Sequence, residues 1–345
     1  MRAAVLRDYN QDLSIEDVAE PDCPQDGVVL KVEACGVCRS DWHGWRGEHP
    51  RVKPGQIQGH EYCGEVVAAG PNARYAVGDR LVAPFILACG RCTSCASGRS
   101  NTCPDQRLPG FVEPGAFAEF VPVPRDHNLA PLPETMPATL AAGLGCRVTT
   151  AWHALTGRAA LAAGEWLAIH GTGGVGLSAM LLGKALGARV IVVDVVPEKL
   201  EHARQLGADV ALDARDTPVA DAIRDVTGGG AHVSIEALGI PETTNGSIAC
   251  LRPLGRHVQV GMPVGDTAEM KINMNAVYMG NLALFGTRGM PAWQYPTLLE
   301  FIAQGAVDLS PLIAREIALS DASGELRAMN GPTAPGVAVI TDFRG

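Results

Sequence analysis

Residues 166–179 read WLAIHGTGGVGLSA: an apolar strand-like run turns through glycines straight into an apolar helix-like run, with Gly171, Gly173 and Gly176 in G-x-G-x-x-G spacing. Few local patterns leave a chain so little choice. Gly173 lets backbone approach a pyrophosphate, the N-terminal end of the helix holds its charge, and Gly176 lets helix and strand pack closely. Gly174 and Val175 complete the turn and join the three glycines as cofactor-binding candidates. A glycine triplet alone is ambiguous, but the next apolar run, RVIVVDV, ends in Asp194, 18 residues after Gly176. A carboxylate there accepts hydrogen bonds from both ribose hydroxyls of an adenosine. It also repels a 2′-phosphate, and neither Val195 nor Val196 supplies a cation, so NAD is expected over NADP. Lys199 is either a further ribose contact or an exposed helix lysine.

The loop belongs to a longer pattern. From about residue 164, strand-like runs (EWLAIH, RVIVVDV, ADVALD, AHVSIEAL, RHVQVGM, NLALFGT) alternate with helical ones such as VGLSAMLLGKALG and PEKLEHARQLG. Val175, Ala179, Leu182 and Leu186 form one stripe, as a helix packed on a sheet requires. The alternation predicts an α/β fold with a doubly wound parallel sheet, the Rossmann layout. Before about residue 135 the runs are short (GVVLKVEA, GEVVAAG, GDRLVAP, FAEFVPVP) and bounded by turn residues, which predicts a mostly β unit. The tail, with helix YPTLLEFIAQG and strand GVAVITDF, is expected to return to that unit. The expected division is 1–145 for the first unit, 146–288 for the cofactor domain and 289–345 for the returning part.

Charge and composition exclude several classes of partner. The 345 residues carry a formal charge of −9, which disfavours phosphate backbones and anionic membranes. No run of about 18 apolar residues occurs, and MRAAVLRDYN has no apolar signal core, so a cytoplasmic protein is expected. In that setting ten cysteines point to metal ligands and buried thiols in place of disulfides.

The segment CGRCTSCASGRSNTC places Cys89, Cys92, Cys95 and Cys103 close enough for four thiolates to close a tetrahedron around Zn²⁺, with no position left for water. Such a site is structural. A second reactive stretch, CGVCRSDWH, holds Cys35 and Cys38, which by spacing alone could be a redox dithiol, half of a zinc site, or one ligand beside a bystander. Combining Cys38 with His60 and Glu61 of GHE and with Cys146 of LGCRVTTAWHAL gives two sulfurs and an imidazole with a fourth position open, the mark of a catalytic zinc.

With these motifs in place the chain resembles a zinc-dependent alcohol dehydrogenase of the medium-chain dehydrogenase/reductase family over nearly its whole length. The resemblance implies a GroES-like substrate domain beside the Rossmann domain, two zincs per chain, and reversible hydride transfer between an alcohol and NAD with zinc as Lewis acid, giving an aldehyde or ketone. It makes Cys38, His60 and Cys146 the catalytic-zinc ligands, Glu61 a transient fourth ligand and Cys35 a buried bystander. By the same resemblance Arg39 meets the cofactor pyrophosphate, Ser40 bonds the substrate hydroxyl, and Asp41 orients His60. His43 passes a proton to solvent, where an imidazole suits neutral pH, and Thr150 meets the nicotinamide. His49, Phe85, Phe111 and Val112 should line the substrate pocket. Many family members carry an arginine on the C-terminal strand that pairs with the glutamate of GHE; GVAVITDF has none. Short members imply a homo-oligomer, a tetramer in preference to a dimer.

Two rivals share the fold. A polyol or amino-alcohol dehydrogenase would often lack the third-ligand cysteine, so Cys146 counts against it; a zinc-free enoyl or quinone reductase would lack the cysteine lobe and GHE. Cys23, Cys63 and Cys250 are expected to be buried thiols, and His153 a surface or packing residue.

Overall fold

The computed structural model describes residues 1–216, 218–331 and 335–345. Six parallel strands form one sheet in the order Val210–Asp213, Arg189–Asp194, Trp166–His170, Ala231–Glu236, Leu251–Gln259, Ala283–Gly286. Helices Gly174–Ala185, Pro197–Gln205, Val219–Thr227 and Pro241–Ala249 cross between them. Trp166–His170 is buried along its whole length, as a strand covered on both faces must be. The chain winds one way from Trp166–His170 and then returns past it, so the topological switch lies between that strand and Ala231–Glu236. Ligands of such sheets sit outside the carboxyl ends of the strands at that switch. The glycine loop leaves Trp166–His170 there.

Gly176 is needed for this geometry. A Cβ on it would stand 1.9 Å from the Gly171 carbonyl oxygen, so only glycine lets the helix start so close to the loop. At Gly173 the same position faces open space, which leaves room above the first turn for a phosphate.

The second sheet has seven strands. Ile313–Ala318, Val337–Asp342, Val28–Gly36, Glu61–Ala69, Arg80–Val82 and Ala130–Pro131 follow one another, and Phe120–Val123 pairs with Val28–Gly36. The tail strands Ile313–Ala318 and Val337–Asp342 thus join a sheet otherwise built before residue 135, with Val339 opposite Gly36. The tail helix Tyr295–Ala303 behaves differently: Tyr295, Leu298 and Ile302 enter a core that also holds Leu167 and Ile169 of the six-stranded sheet and Ala34 and Val82 of the seven-stranded one. A small third sheet, Ser14–Asp17, Arg2–Leu6 and Gln56–Ile57, lies at the N-terminal end. Among the described residues no helix is long and apolar enough to cross a membrane. Cys63 and Cys250 are buried, but Cys23 is exposed, since it precedes Pro24 in the loop before Val28–Gly36 and no strand covers it.

Candidate active site

Strand register brings the first cluster together. In the antiparallel pair of Val28–Gly36 and Glu61–Ala69, Gly36 lies opposite Glu61. The chain leaving Gly36 therefore delivers Cys38 beside His60 and Glu61, and Cys146 arrives at the start of helix Arg147–Trp152. One ligand atom from each of Cys38, His60, Glu61 and Cys146 lies within 4.8 Å of the others. Cys35 is buried and outside the group, its sulfur 3.8 Å from the Gly36 carbonyl oxygen. Cys38 and Cys146 are both helix N-caps, where the helix end favours a thiolate.

The donor set fits a cation. His60 is fully buried; its Nδ1 is 2.9 Å from Asp41 Oδ1, while Nε2 has no hydrogen-bond partner. An orphaned ring nitrogen facing two sulfurs is the arrangement a metal satisfies. Burial opposes charge on His60, but Asp41 and the Cys38 sulfur outweigh it and push its pKa up to about 10. A hydrogen bond from Cys146, and then His60, pulls the Cys38 thiol well below its ordinary range, whereas Cys146 is pushed well up by that bond and by burial. A divalent ion bound by these groups would displace their protons.

Glu61 has a partner that the sequence motifs did not reveal. Arg147 Nε donates to Glu61 Oε1 at 3.1 Å, and Nη2 donates to Oε2, in a pair buried on both sides. Gly36 makes the pairing possible, because a Cβ there would stand 2.6 Å from Oε2 and 2.9 Å from Nη2. The arginine absent from the C-terminal strand is replaced by one directly after a ligand cysteine. Its Nη1 is buried without a partner, and its Cδ lies 3.3 Å from where a Cβ on Gly174 would be, at the first turn of the cofactor-site helix.

The second cluster is closed. Cys89, Cys92, Cys95 and Cys103 have ligand atoms within 4.8 Å of one another, with sulfurs 3.5 Å apart for Cys92–Cys95 and 3.8 Å for Cys92–Cys103. Backbone N–H groups of Arg91 and Cys92 donate to Cys89 Sγ at 3.4 and 3.3 Å, and that of Cys89 donates to Cys103 Sγ at 3.3 Å. Such donors stabilise thiolate charge, and the group fits a zinc with no open position.

A cleft of about 950 Å³ runs from the first cluster to the switch point of the parallel sheet. Cys38, Arg39, Ser40, His43, His49, Phe85, Phe111, Cys146, Thr150 and Val175 line it. Phe85 and Phe111 flank His60 with ring centroids 5.9 and 4.8 Å away. His49 packs 4.6 Å from Phe111, and burial, then Arg51, lower its pKa to about 4. Val112, expected in the pocket, does not line this cleft: the turn that carries Phe111 inward, with Val112 N–H bonded to the Leu108 carbonyl, leaves Val112 48% exposed. His43 Nδ1 lies 2.7 Å from Glu48 Oε2, and the Gly289 N–H donates to Thr150 Oγ1 at 3.2 Å. Arg39 donates to the Met329 carbonyl and stacks 4.5 Å over Trp42. His153, expected on the surface or in packing, lines the cleft beside Gln294.

At the end of strand Arg189–Asp194, Asp194 Oδ2 accepts from the Thr172 N–H at 2.8 Å and hydroxyl at 2.6 Å, and Oδ1 from the Val195 and Val196 N–H groups. Lys199 is half-buried in the first turn of Pro197–Gln205. Thr172, Glu48 and Arg147 were not among the residues the motifs singled out. Only Thr172, lying between two loop glycines, carried a local signal.

Fold and clusters together define a zinc-binding dehydrogenase. The model of the alcohol dehydrogenase GroES-like domain matches residues 24–134, and that of the zinc-binding dehydrogenase domain residues 174–304. An alcohol dehydrogenase of Geobacillus stearothermophilus is 32% identical over 311 residues, 89% of this chain and 90% of that protein. A sorbitol dehydrogenase of Bacillus subtilis (strain 168) is 33% identical over 327 residues, 92% of this chain and 90% of the relative. The alcohol dehydrogenase of Thermus sp. ATN1 is similar in structure with a TM-score of 0.92 at 26% identity, covering 99% of this chain and 100% of that one. The chain belongs to the zinc-dependent alcohol dehydrogenases of the medium-chain dehydrogenase/reductase family. It is an oxidoreductase and not a zinc-free reductase.

Arg147→Met should strand a buried carboxylate at Glu61 and cost about 3–5 kcal/mol of stability. Adding Glu61→Gln removes the stranded charge, so the double variant should recover most of the loss. Urea unfolding measures both. A single variant as stable as wild type would show that the pair does not hold the cluster together.

Proposed function

We propose that the protein is an NAD-dependent alcohol dehydrogenase with two zincs per chain, one catalytic and one structural. The orphaned, buried Nε2 of His60, grouped with Cys38 and Cys146, whose side of the cluster lines the cleft, carries this reading. Bound zinc supplies Lewis acidity to the substrate oxygen, and the nicotinamide takes the hydride. Everything else falls to the protein's own side chains. Cys38, His60 and Cys146 hold the catalytic metal, and Glu61, paired to Arg147, stands by as a fourth ligand. The Ser40 hydroxyl would take the alcohol proton while handing its own onward through the cofactor ribose to His43, which Glu48 orients and which exchanges it with water. Phe85 and Phe111 exclude water from the reacting carbon. Arg39, Thr150 and the turn from Gly171 to Gly176 hold the cofactor, with Asp194 on the adenosine ribose and Lys199 beside it. The remaining organisation follows the family: residues 1–145 and 289–345 as the substrate domain around residues 146–288, in a cytoplasmic tetramer. A polyol substrate is the second reading, favoured by the likeness to sorbitol dehydrogenase.

Three measurements follow. Metal analysis should find two zincs per chain; Cys95→Ser should lower thermal stability or block folding, whereas Cys146→Ser should mainly remove turnover. One zinc in a fully active preparation would contradict the division of roles. Asp194→Ser with Val195→Arg should raise the kcat/KM ratio of NADP to NAD at least about tenfold, the worth of a charge-assisted bond to the 2′-phosphate. A wild-type preference for NADP would mean that the carboxylate does not face the ribose. His43→Gln should slow alcohol oxidation and be partly restored by added imidazole buffer; an unchanged rate and pH profile would remove His43 from the proton path.

A further inference from the structure

We propose that the preferred substrate carries an anionic group, a carboxylate or a phosphate, on the end away from its reacting carbon. This rests on the alcohol-oxidising reading above and adds a substrate class to it.

The chain has a net charge of −9, yet among the described residues four arginines and no aspartate or glutamate line the cleft. Arg39 belongs to the cofactor end. The other three reach the cleft from separate parts of the fold: Arg99 from the four-cysteine lobe, Arg158 from the end of the turn His153–Arg158, and Arg288 from just beyond strand Ala283–Gly286. Among the described residues none of the three has a carboxylate within ion-pair distance. Outside the cleft Arg46 pairs with Glu48 at 2.8 Å and Arg107 with Glu113 at 3.2 Å, while Arg51 adds a further cation, unpaired among the described residues, close to Arg288. Unpaired cations converging on one cleft in an acidic protein attract an anion there and repel a cation.

Arg288 is the best placed of the three. Its guanidinium donates to Gln106 Oε1, and its carbonyl accepts from Asn101 Nδ2 at 3.2 Å, so the four-cysteine lobe braces it at both ends. Burial, then Arg51, lowers its pKa and the Cys146 sulfur counters that, as suits a guanidinium within electrostatic reach of the metal cluster. Arg158 lies 5.1 Å over the Phe285 ring, which leaves its edge donors free. Phe85 and Phe111, beside His60, and Leu108 give the same cleft an apolar stretch. The lining thus matches a molecule with a hydroxyl or carbonyl at one end, a short apolar stem, and a planar or tetrahedral anion at the other. A guanidinium binds either anion in two-pronged fashion.

The test uses the zinc-loaded enzyme with NAD and, separately, with NADP, on matched pairs: 4-hydroxybutanoate against 1,4-butanediol for carboxylate, and glycerol 1-phosphate against glycerol for phosphate. The anionic member of at least one pair should have the higher kcat/KM by about tenfold or more, and which pair shows it identifies the anion. The KM of that member should rise with ionic strength while that of its neutral partner stays flat. Arg288→Gln should cut the preference about 10–100-fold, with Arg288→Lys retaining part of it; Arg99→Gln, at an exposed position, gives a second reading should Arg288→Gln fold poorly. Neutral members turned over as well as their anionic partners in both pairs would overturn the inference and leave the dehydrogenase reading intact. A preference that survives both substitutions would overturn the assignment to these arginines. Absence of turnover with every compound and both cofactors would remove the dehydrogenase reading, and this inference with it.

Discussion

The buried carboxylate of Asp41 is the contact on which the metal cluster depends. It has no exposed surface and takes the Cys38 N–H at 2.9 Å, the Gly59 N–H at 3.2 Å and the His60 ring at 2.9 Å. Gln58 closes the arrangement by donating to the Asp41 carbonyl at 2.9 Å. Two ligands from neighbouring strands, at the same end of the pair, are thereby tied to one side chain. Because Nδ1 of His60 is spent on Asp41, Nε2 alone is left to face Cys38 and Cys146, which sets both the tautomer and the direction of the lone pair. Without Asp41, burying His60 beside two sulfurs would leave several polar groups unsatisfied.

Arg147 extends this order toward the cofactor. One edge of its guanidinium holds Glu61 beside Cys38 and His60, and its stem rests against Gly174 at the opening of the helix that follows the glycine loop. The two halves of the site therefore meet in one buried side chain. Gly36 and Gly176 are small for the same reason: a Cβ would stand 2.6 Å from the Glu61 carboxylate at the first and 1.9 Å from the Gly171 carbonyl oxygen at the second. The four-cysteine lobe is tied into the site too, since Asn101 and Gln106 brace Arg288 and Trp293 donates to the Gly98 carbonyl at 2.7 Å.

Much of this was legible before any coordinates. The parallel sheet announced itself through six apolar runs alternating with helices, and all six form the expected doubly wound order. Both ligand groups were readable because cysteine and histidine are rare enough for spacing to carry meaning. Contacts between common residues were not legible. Arg147 is one arginine among many until the strand register sets Gly36 opposite Glu61 and clears a path for it. Arg99, Arg158 and Arg288 are likewise brought to one cleft by long-range packing, whereas Glu48 lies close to His43 in the chain but in no motif that marks it. The misplacement of Val112 has a simple origin: adjacent residues in a turn point in different directions, and spacing from Phe111 cannot say which one faces inward. Cys23 failed for a related reason, as apolar character alone does not bury a residue in a proline-bounded loop.

The central claim is that one chain builds a closed sulfur site and, separately, an open site of two sulfurs and one imidazole whose nitrogen Asp41 directs. X-ray absorption at the zinc edge of the protein as isolated, compared with Cys146→Ser and Asp41→Asn, tests this most directly. The account predicts a first shell dominated by sulfur with a nitrogen/oxygen minority. That minority should vanish together with one equivalent of zinc in Cys146→Ser, and weaken in Asp41→Asn while the all-sulfur component stays unchanged. A wild-type shell of sulfur alone, or a nitrogen signal indifferent to both substitutions, would contradict it.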